Sequence, residues 1–320
     1  MIMNTNFKLN LYILITILFL GLVTSCKEEK SNRDQALHTE TIIETSEHHL
    51  PLQPAFEQSS DFKNYWYAGE AEISSYKLEQ ARYGEMRDGS SILVFVTEDF
   101  LPKKQVKADY YSKTNTPILK LNATKNFNTG IYPYSIMQST FYPVSNTKHA
   151  IKVSCSVQEW CGHVYSQLNN KNQFEITSHS YFENEADLSF KLEKSILENE
   201  LWTQLRLEPK SLPIGDLQII PSMEFIRLKH LKLKAYKAVA ELKNGVYIIT
   251  YPELDRTLAI NFNTKFPYDI LGWEDTYKDG YGAKAKTLTT IATKLKTIKS
   301  PYWSKNSNKD EILRKELLLQ

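Results

Sequence analysis

The sequence predicts a mostly β (α+β) fold: a large curved antiparallel sheet or half-barrel, with one covering amphipathic helix and a short C-terminal helix. Three observations predict it. Apolar and polar residues alternate in many short runs, as in Ile151-Lys152-Val153-Ser154-Cys155, the period of strands with one buried face. Asn244-Gly245 separates two such runs and suits the left-handed turn of a tight hairpin. A single stretch, Leu192, Ile196, Leu197, Leu201, Trp202 and Leu205, has strong helical spacing, with Pro209 just beyond. Many strands and one helix satisfy their apolar faces by packing the helix on the sheet.

Taken in order, Ile73, Tyr76 and Leu78 open a strand-prone region after Tyr65-Trp66-Tyr67. Asp88-Gly89 predicts a turn, and Ile92–Val96 a buried strand. Leu119 and Leu121 flank Lys120 in the next strand, and residues 132–144 are aromatic and strand-prone. Ile151 to Val157 alternates cleanly, and Asn169-Asn170-Lys171-Asn172 turns the chain into Phe174 and Ile176. In the helix that follows, Glu193, Lys194, Glu198 and Glu200 occupy the charged positions of an amphipathic element laid on a sheet. Tyr236–Leu242, Val246–Tyr251 and Leu258–Phe262 are further strands. Residues 286–298 fit either period, and the threonines 287, 289, 290, 293 and 297 favour a strand. A short amphipathic helix is expected from about Lys309 to Leu318.

The N-terminus has a different character. Lys8 precedes an almost wholly apolar run, Leu9 to Val23, which ends in Thr24-Ser25-Cys26. A charged residue, an apolar stretch of this length and small residues before a cut site describe a secretory signal. The run is short of the ~20 apolar residues of a spanning helix. Cys26 in this setting is the expected site of lipidation, with acyl chains as the link to a membrane. The organisation expected is a lipoprotein signal over 1–25, a lipidated cysteine and polar tether over 26–60, and a β-rich globular domain over 61–320. The expected location is the outer membrane, on the periplasmic face or the cell surface. Lys27-Glu28-Glu29-Lys30 resembles surface-export signals of some Gram-negative lipoproteins and equally reads as solvated tether.

Without residues 1–25 the chain carries 38 Lys+Arg against 37 Asp+Glu, because Lys8 alone is removed. That balance argues against a nucleic-acid partner, which needs a clustered basic surface. With Cys26 lipidated, Cys155 and Cys161 are the only pair left for a disulfide. Six residues along one strand span ~20 Å, so a bridge needs a turn between them.

No nucleotide-binding, metalloprotease, nucleophile-elbow or calcium-loop motif is present, and Gly280-Tyr281-Gly282-Ala283-Lys284 reads as a turn. Neither a cofactor nor a metal is expected, although His149, His163 and His179 would suit zinc if neighbouring strands aligned them. The best local constellation for catalysis is Glu159-Trp160-Cys161-Gly162-His163, in which His163 would be the base for a Cys161 nucleophile. Tyr132, Tyr134, Phe141, Tyr142 and Trp160 are candidates to line a groove for a sugar or lipid, or simply to pack the sheet.

Tyr65-Trp66-Tyr67-Ala68-Gly69-Glu70, Asn128-Thr129-Gly130-Ile131-Tyr132-Pro133-Tyr134, Glu159-Trp160-Cys161-Gly162-His163 and Ser300-Pro301-Tyr302-Trp303 resemble stretches of a group of uncharacterised Gram-negative lipoproteins. The resemblance covers nearly all of residues 62–318. Members often carry the label septum formation inhibitor Maf. Maf proteins are cytoplasmic α/β nucleotide pyrophosphatases with an N-terminal Ser-x-Ser-Pro-Arg-Arg motif, which this chain lacks, so the label is misapplied. The resemblance implies lipoprotein status and transfers no active site. The function expected is a binding or scaffolding module for a lipid, a glycan or an envelope protein; the alternative is an envelope hydrolase using Cys161 and His163.

Overall fold

Helix α1 (Ser60–Trp66) begins where the Ser59 hydroxyl accepts from the Phe62 N–H at 3.1 Å, and it buries Phe62 and Trp66. The computed structural model describes residues 56–146 and 149–319. The signal, Cys26, the Lys27–Lys30 cluster and most of the tether lie outside the described residues.

Strands β1 (Ala71–Arg82), β2 (Glu85–Leu101), β3 (Val106–Lys107), β4 (Thr116–Thr129), β5 (Tyr132–Pro143), β6 (Lys152–Glu159), β7 (Gly162–Asn170), β8 (Phe174–Ser180) and β9 (Leu188–Leu192) form the first half of the chain. Then come β10 (Ile196–Leu197), α2 (Glu198–Leu207), β11 (Gly215–Ile220), α3 (Met223–Lys229), β12 (Tyr236–Lys243), β13 (Val246–Tyr251), β14 (Arg256–Phe262), β15 (Ile270–Asp279) and β16 (Lys286–Ser300). Helix α4 (Ile312–Glu316) is the last regular element. The chain is therefore mostly β, a large unclosed antiparallel sheet with few helices.

All sixteen strands belong to one sheet, ordered β10-β11-β12-β13-β14-β15-β16-β1-β2-β4-β5-β6-β7-β8-β9, with β3 attached to β2 alone. Neighbours are antiparallel throughout except β10 and β11. The first and last long strands pair at the centre, from Ala71 opposite Ser300 to Glu79 opposite Ile291. The two ends of the sheet, β9 and β10, are consecutive in the chain and joined by Glu193-Lys194-Ser195. No ladder pairs them among the described residues, so the curved sheet keeps a seam.

The alternation read from the sequence is the alternation of burial. In β14 every second residue from Arg256 to Phe262 is buried, and β13 alternates in the same way. Asn244 and Gly245 have φ of 49° and 81°, the two left-handed positions that a tight turn between β12 and β13 requires. Residues 286–300 form a single strand, as the threonines indicated.

The turn expected at Asp88-Gly89 is a correction. The chain reverses at Tyr83-Gly84, and β2 runs on through Gly89, which faces Leu78 on one side and Phe127 on the other. A Cβ on Gly89 would lie 2.4 Å from the Asn126 carbonyl oxygen. The glycine serves close backbone approach inside a continuous strand, and its local sequence signal is the same as that of a turn glycine. Gly272 does the same in β15, where a Cβ would lie 2.3 Å from the Ala292 carbonyl.

The helix pattern also needs correction at its start. Leu192 closes β9 and Ile196-Leu197 form β10, so only residues from Glu198 are helical. Helix α2 bonds to strands of both halves of the sheet, through Glu72, Gln138, Tyr251 and Arg256, and so lies within its concave face. Leu201 and Leu205 are fully buried, each contributing about 1.5–3 kcal/mol by leaving water. Glu198 and Glu200, expected on a solvated face, are buried as well. The sequence reading missed α1 and α3, each only seven residues long and short of a readable helical repeat. Among the described residues the buried core runs from Phe62 to Leu317, so a chain starting at residue 27 retains it whole. No helix among the described residues is long and apolar enough to cross a membrane.

Candidate functional site

Enclosing a helix that carries charge forces the sheet to supply partners. Arg256 of β14 holds Glu198 through Nη1 and Nη2 at 2.6 and 2.9 Å, and Asp275 of β15 through Nε and Nη2 at 2.7 and 3.0 Å. The Tyr251 hydroxyl adds a bond of 2.8 Å to Glu198. Burial disfavours the Arg256 charge, but Asp275 and Glu198 overcome it and hold the guanidinium above its usual range. Burial pushes the Asp275 carboxyl up, and Arg256 offsets this only in part. Near the other end of α2, Arg206 grips Glu72 with two bonds of 2.6 Å.

A second polar chain ties α2 to α3. Asn199 Nδ2 donates to Gln138 Oε1 at 2.9 Å, and Gln138 Nε2 donates to Glu224 Oε2 at 2.9 Å. Lys125 Nζ donates to the other Glu224 oxygen at 2.7 Å. Beside these groups lies a cavity of about 60 Å³, which Gln80, Lys125, Gln138, Glu224 and Asp275 help to line. Its volume holds roughly four to six waters at 10–15 Å³ each. The buried Gln80 Oε1, beside this cavity, has no hydrogen-bond partner among the described residues. Ligand pockets span about 300–1,000 Å³, so this interior accommodates solvent rather than a lipid or sugar.

The larger space is at the seam. A groove of about 770 Å³ separates the β8–β9 edge from α3 and the segment that follows it. One wall carries Ile176, Leu188, Phe190 and Leu192; the other carries Met223, Ile226, Leu231 and Leu233. Arg227, His230, Lys232 and Lys234 lie on the α3 side, with Asn184 and Glu185 opposite. Leu188 is 48% exposed, so part of this lining is open to solvent. The unpaired edge of β9 and the apolar walls both follow from the failure of the sheet to close.

The residues singled out from the sequence disperse. Tyr132, Tyr134 and Tyr142 alternate along one face of β5, whereas Phe141 is out of phase and packs on Phe100 at a ring distance of 5.3 Å. Tyr134 is buried, stacked on Phe127 at 5.0 Å, and its hydroxyl accepts from Arg82 at 3.1 Å. The Tyr142 hydroxyl donates to Asn146 at 3.0 Å. Trp160 is 67% exposed at the β6–β7 tip. The five aromatic residues therefore form no common groove, because sheet alternation and a hairpin tip send them to different surroundings. None of them lines the seam groove.

Cys155 is buried on β6, Cys161 is exposed at the β6–β7 tip, and both are free thiols. A hydrogen bond and the charge from Glu159 push the Cys161 thiol up, the direction that withholds a thiolate. His163 follows on β7 opposite Gln158, and no hydrogen bond joins it to Cys161 among the described residues. His149 lies 2.8 Å from Glu200 and His179 3.3 Å from Asp187, each with its own carboxylate. No group of three metal-ligating side chains converges among the described residues.

The sequence carried one unused signal for the interior. Arg256 is in phase with Leu258, Ile260 and Phe262, and Asp275 with Trp273 and Tyr277. A charge in register with a buried face demands a partner inside.

No protein-family model matches the chain, and no curated protein matches it. Among solved structures, a crystal structure of a β-barrel-like protein of the domain of unknown function DUF1849 from Brucella abortus is similar over 72% of this chain and 97% of that one, with 6% identity and a TM-score of 0.42.

Proposed function

We propose that the protein is an outer-membrane lipoprotein, held through acyl chains on Cys26, whose folded part binds the apolar portion of an amphiphile in the seam groove. The observation that carries this reading is the groove of about 770 Å³ between β9 and residues 230–234, walled by aliphatic side chains. Its volume lies in the range of ligand pockets, whereas the enclosed cavity of about 60 Å³ does not. Of a lipid, a glycan and an envelope protein, a lipid suits the walls best. Sugars are held by flat aromatic faces edged with polar groups, and among the described residues lining the groove Phe190 is the one Phe, Tyr or Trp. A contiguous apolar trough open to solvent marks a binding surface.

The test uses the chain from residue 27 onward. Native mass spectrometry is expected to find co-purified amphiphile, and a fluorescent alkyl probe is expected to bind. Leu188→Arg and Leu233→Arg, both at positions that are not fully buried, are expected to weaken the probe by at least about tenfold while circular dichroism is unchanged. Equal binding by the variants, or no binding by the parent chain, would reject the groove as the site. An envelope protein recovered in place of a lipid would reject the amphiphile.

A further inference from the structure

We propose that the head of the amphiphile is anionic, a carboxylate or a phosphate, and that Lys232 and Lys234 hold it at the rim of the seam groove. The inference rests on reading the groove as an amphiphile site and names the chemical class of its ligand.

From Phe225 to Ala240 the chain carries Arg227, Lys229, Lys232, Lys234 and Lys237, together with His230, and no Asp or Glu. Within it, Leu231-Lys232-Leu233-Lys234 alternates: the leucines are half-buried, the lysines are exposed, and all four line the groove. The other cations nearby are committed. Arg227 Nη1 donates to Glu185 Oε1 at 3.1 Å, and His230 Nδ1 lies 2.8 Å from the same oxygen. Lys229 Nζ donates to Asp279 Oδ1 at 3.0 Å and to the Lys278 carbonyl at 2.8 Å. Lys232 has no carboxylate partner among the described residues. Lys234 has only Glu253 at 4.0 Å, an exposed pair of the kind that contributes little.

The groove thus joins an apolar trough to two exposed ammonium groups, Lys232 without a carboxylate and Lys234 over the Tyr236 ring at 4.5 Å, while its one carboxylate, Glu185, is already shared by two cations. A tail laid against Leu188, Phe190 and Leu233 brings a negatively charged head to Lys232 and Lys234. A neutral head gains nothing from them, and a cationic head is repelled. Lysine acts here as a mobile point charge, which suits either a carboxylate or a phosphate.

The experiment titrates the chain from residue 27 with four probes that share a ten-carbon tail: decanoate, decyl phosphate, decyltrimethylammonium and decanol. Decanoate or decyl phosphate is expected to bind about tenfold more tightly than the other two, the effect of two partly exposed ion pairs, and to lose that margin in high salt. Lys232→Gln with Lys234→Gln is expected to abolish the margin and leave decanol binding unchanged. Preference for the phosphate points to a phospholipid-type head and preference for the carboxylate to a fatty acid; either supports the proposal. Equal affinity for all four probes or tighter binding of decyltrimethylammonium overturns the anionic head, and a margin that survives in the double variant overturns the role of the two lysines; each leaves the groove reading intact. Binding of none of the four overturns both.

Discussion

Arg206 of α2 and Glu72 of β1 meet as a bidentate fork, with both Nη–Oε distances 2.6 Å and both side chains 1% exposed. The guanidinium lies 4.6 Å from the Phe95 ring centroid, and its Nε donates to the Pro267 carbonyl at 3.1 Å. The pair fixes the helix to the central strand of the sheet across 134 residues of chain. Removing one partner leaves the other charged, buried and unmatched. Arg206→Met is therefore expected to cost about 3–5 kcal/mol in urea unfolding, and Arg206→Met with Glu72→Leu clearly less, because the double variant buries no orphan charge. Equal losses in the single and double variants would show that the fork contributes only packing.

Two buried carboxylates give the pH dependence of stability opposite slopes. Burial opposes the Glu72 charge, but Arg206 and the Tyr65 hydroxyl overcome it and hold the carboxyl below the usual glutamate range. A lowered folded pKa contributes stability above the unfolded value of about 4.3, and this is lost as pH falls through the folded value. For Asp275, burial outweighs Arg256 and the pKa is raised. Its contribution is fully present below the unfolded value of about 3.9 and is lost as pH rises through the folded value. Asp275→Asn is thus expected to flatten the fall of stability above pH 4, and Glu72→Gln to flatten the acid limb. Unfolding free energies at a series of pH values check both, and a change of the same sign in the two variants would contradict them.

Strands and hairpins were legible because their signals are local. Alternation in Tyr236–Leu242 and the dipeptide Asn244-Gly245 require nothing from the rest of the chain. The lumen was harder to read. Glu198 resembles a surface position of an amphipathic helix until Arg256, 58 residues later, is placed beside it. The seam groove was not legible at all, because Leu188 and Leu233 become neighbours only through the strand order. The aromatic candidates misled for a related reason: richness in Tyr and Phe marks strands in general, and here Tyr134 and Tyr142 are used to pack and hydrogen-bond.

Gly89 is expected to be one of the least tolerant positions in the central strands. Alanine there places a methyl group 2.4 Å from the Asn126 carbonyl and 2.8 Å from the Phe127 Cβ, so β2 and β4 must move apart. Overpacking of this kind costs about 1–3 kcal/mol. Gly130→Ala, at the β4–β5 tip, has no atom within 4 Å of the new Cβ and bears only the strain of its φ of 63°. Thermal unfolding of the two variants is expected to rank Gly89→Ala as the more damaging, and the reverse order would remove the close-approach role assigned to this glycine.

The two cysteines of the chain from residue 27 are expected to separate in a thiol-reagent titration. Cys155 is 3% exposed, between Gln138 and Ser166 of the flanking strands, and burial pushes its thiol far up. It is expected to react only on unfolding, so its rate follows the global stability. Cys161 is exposed at the hairpin tip and is expected to react in the native protein, yet more slowly than a free cysteine, because Glu159 suppresses the thiolate. Glu159→Gln is expected to raise that rate. A native rate above that of free cysteine, falling on His163→Ala, would instead show an activated thiol and return the hydrolase reading to consideration.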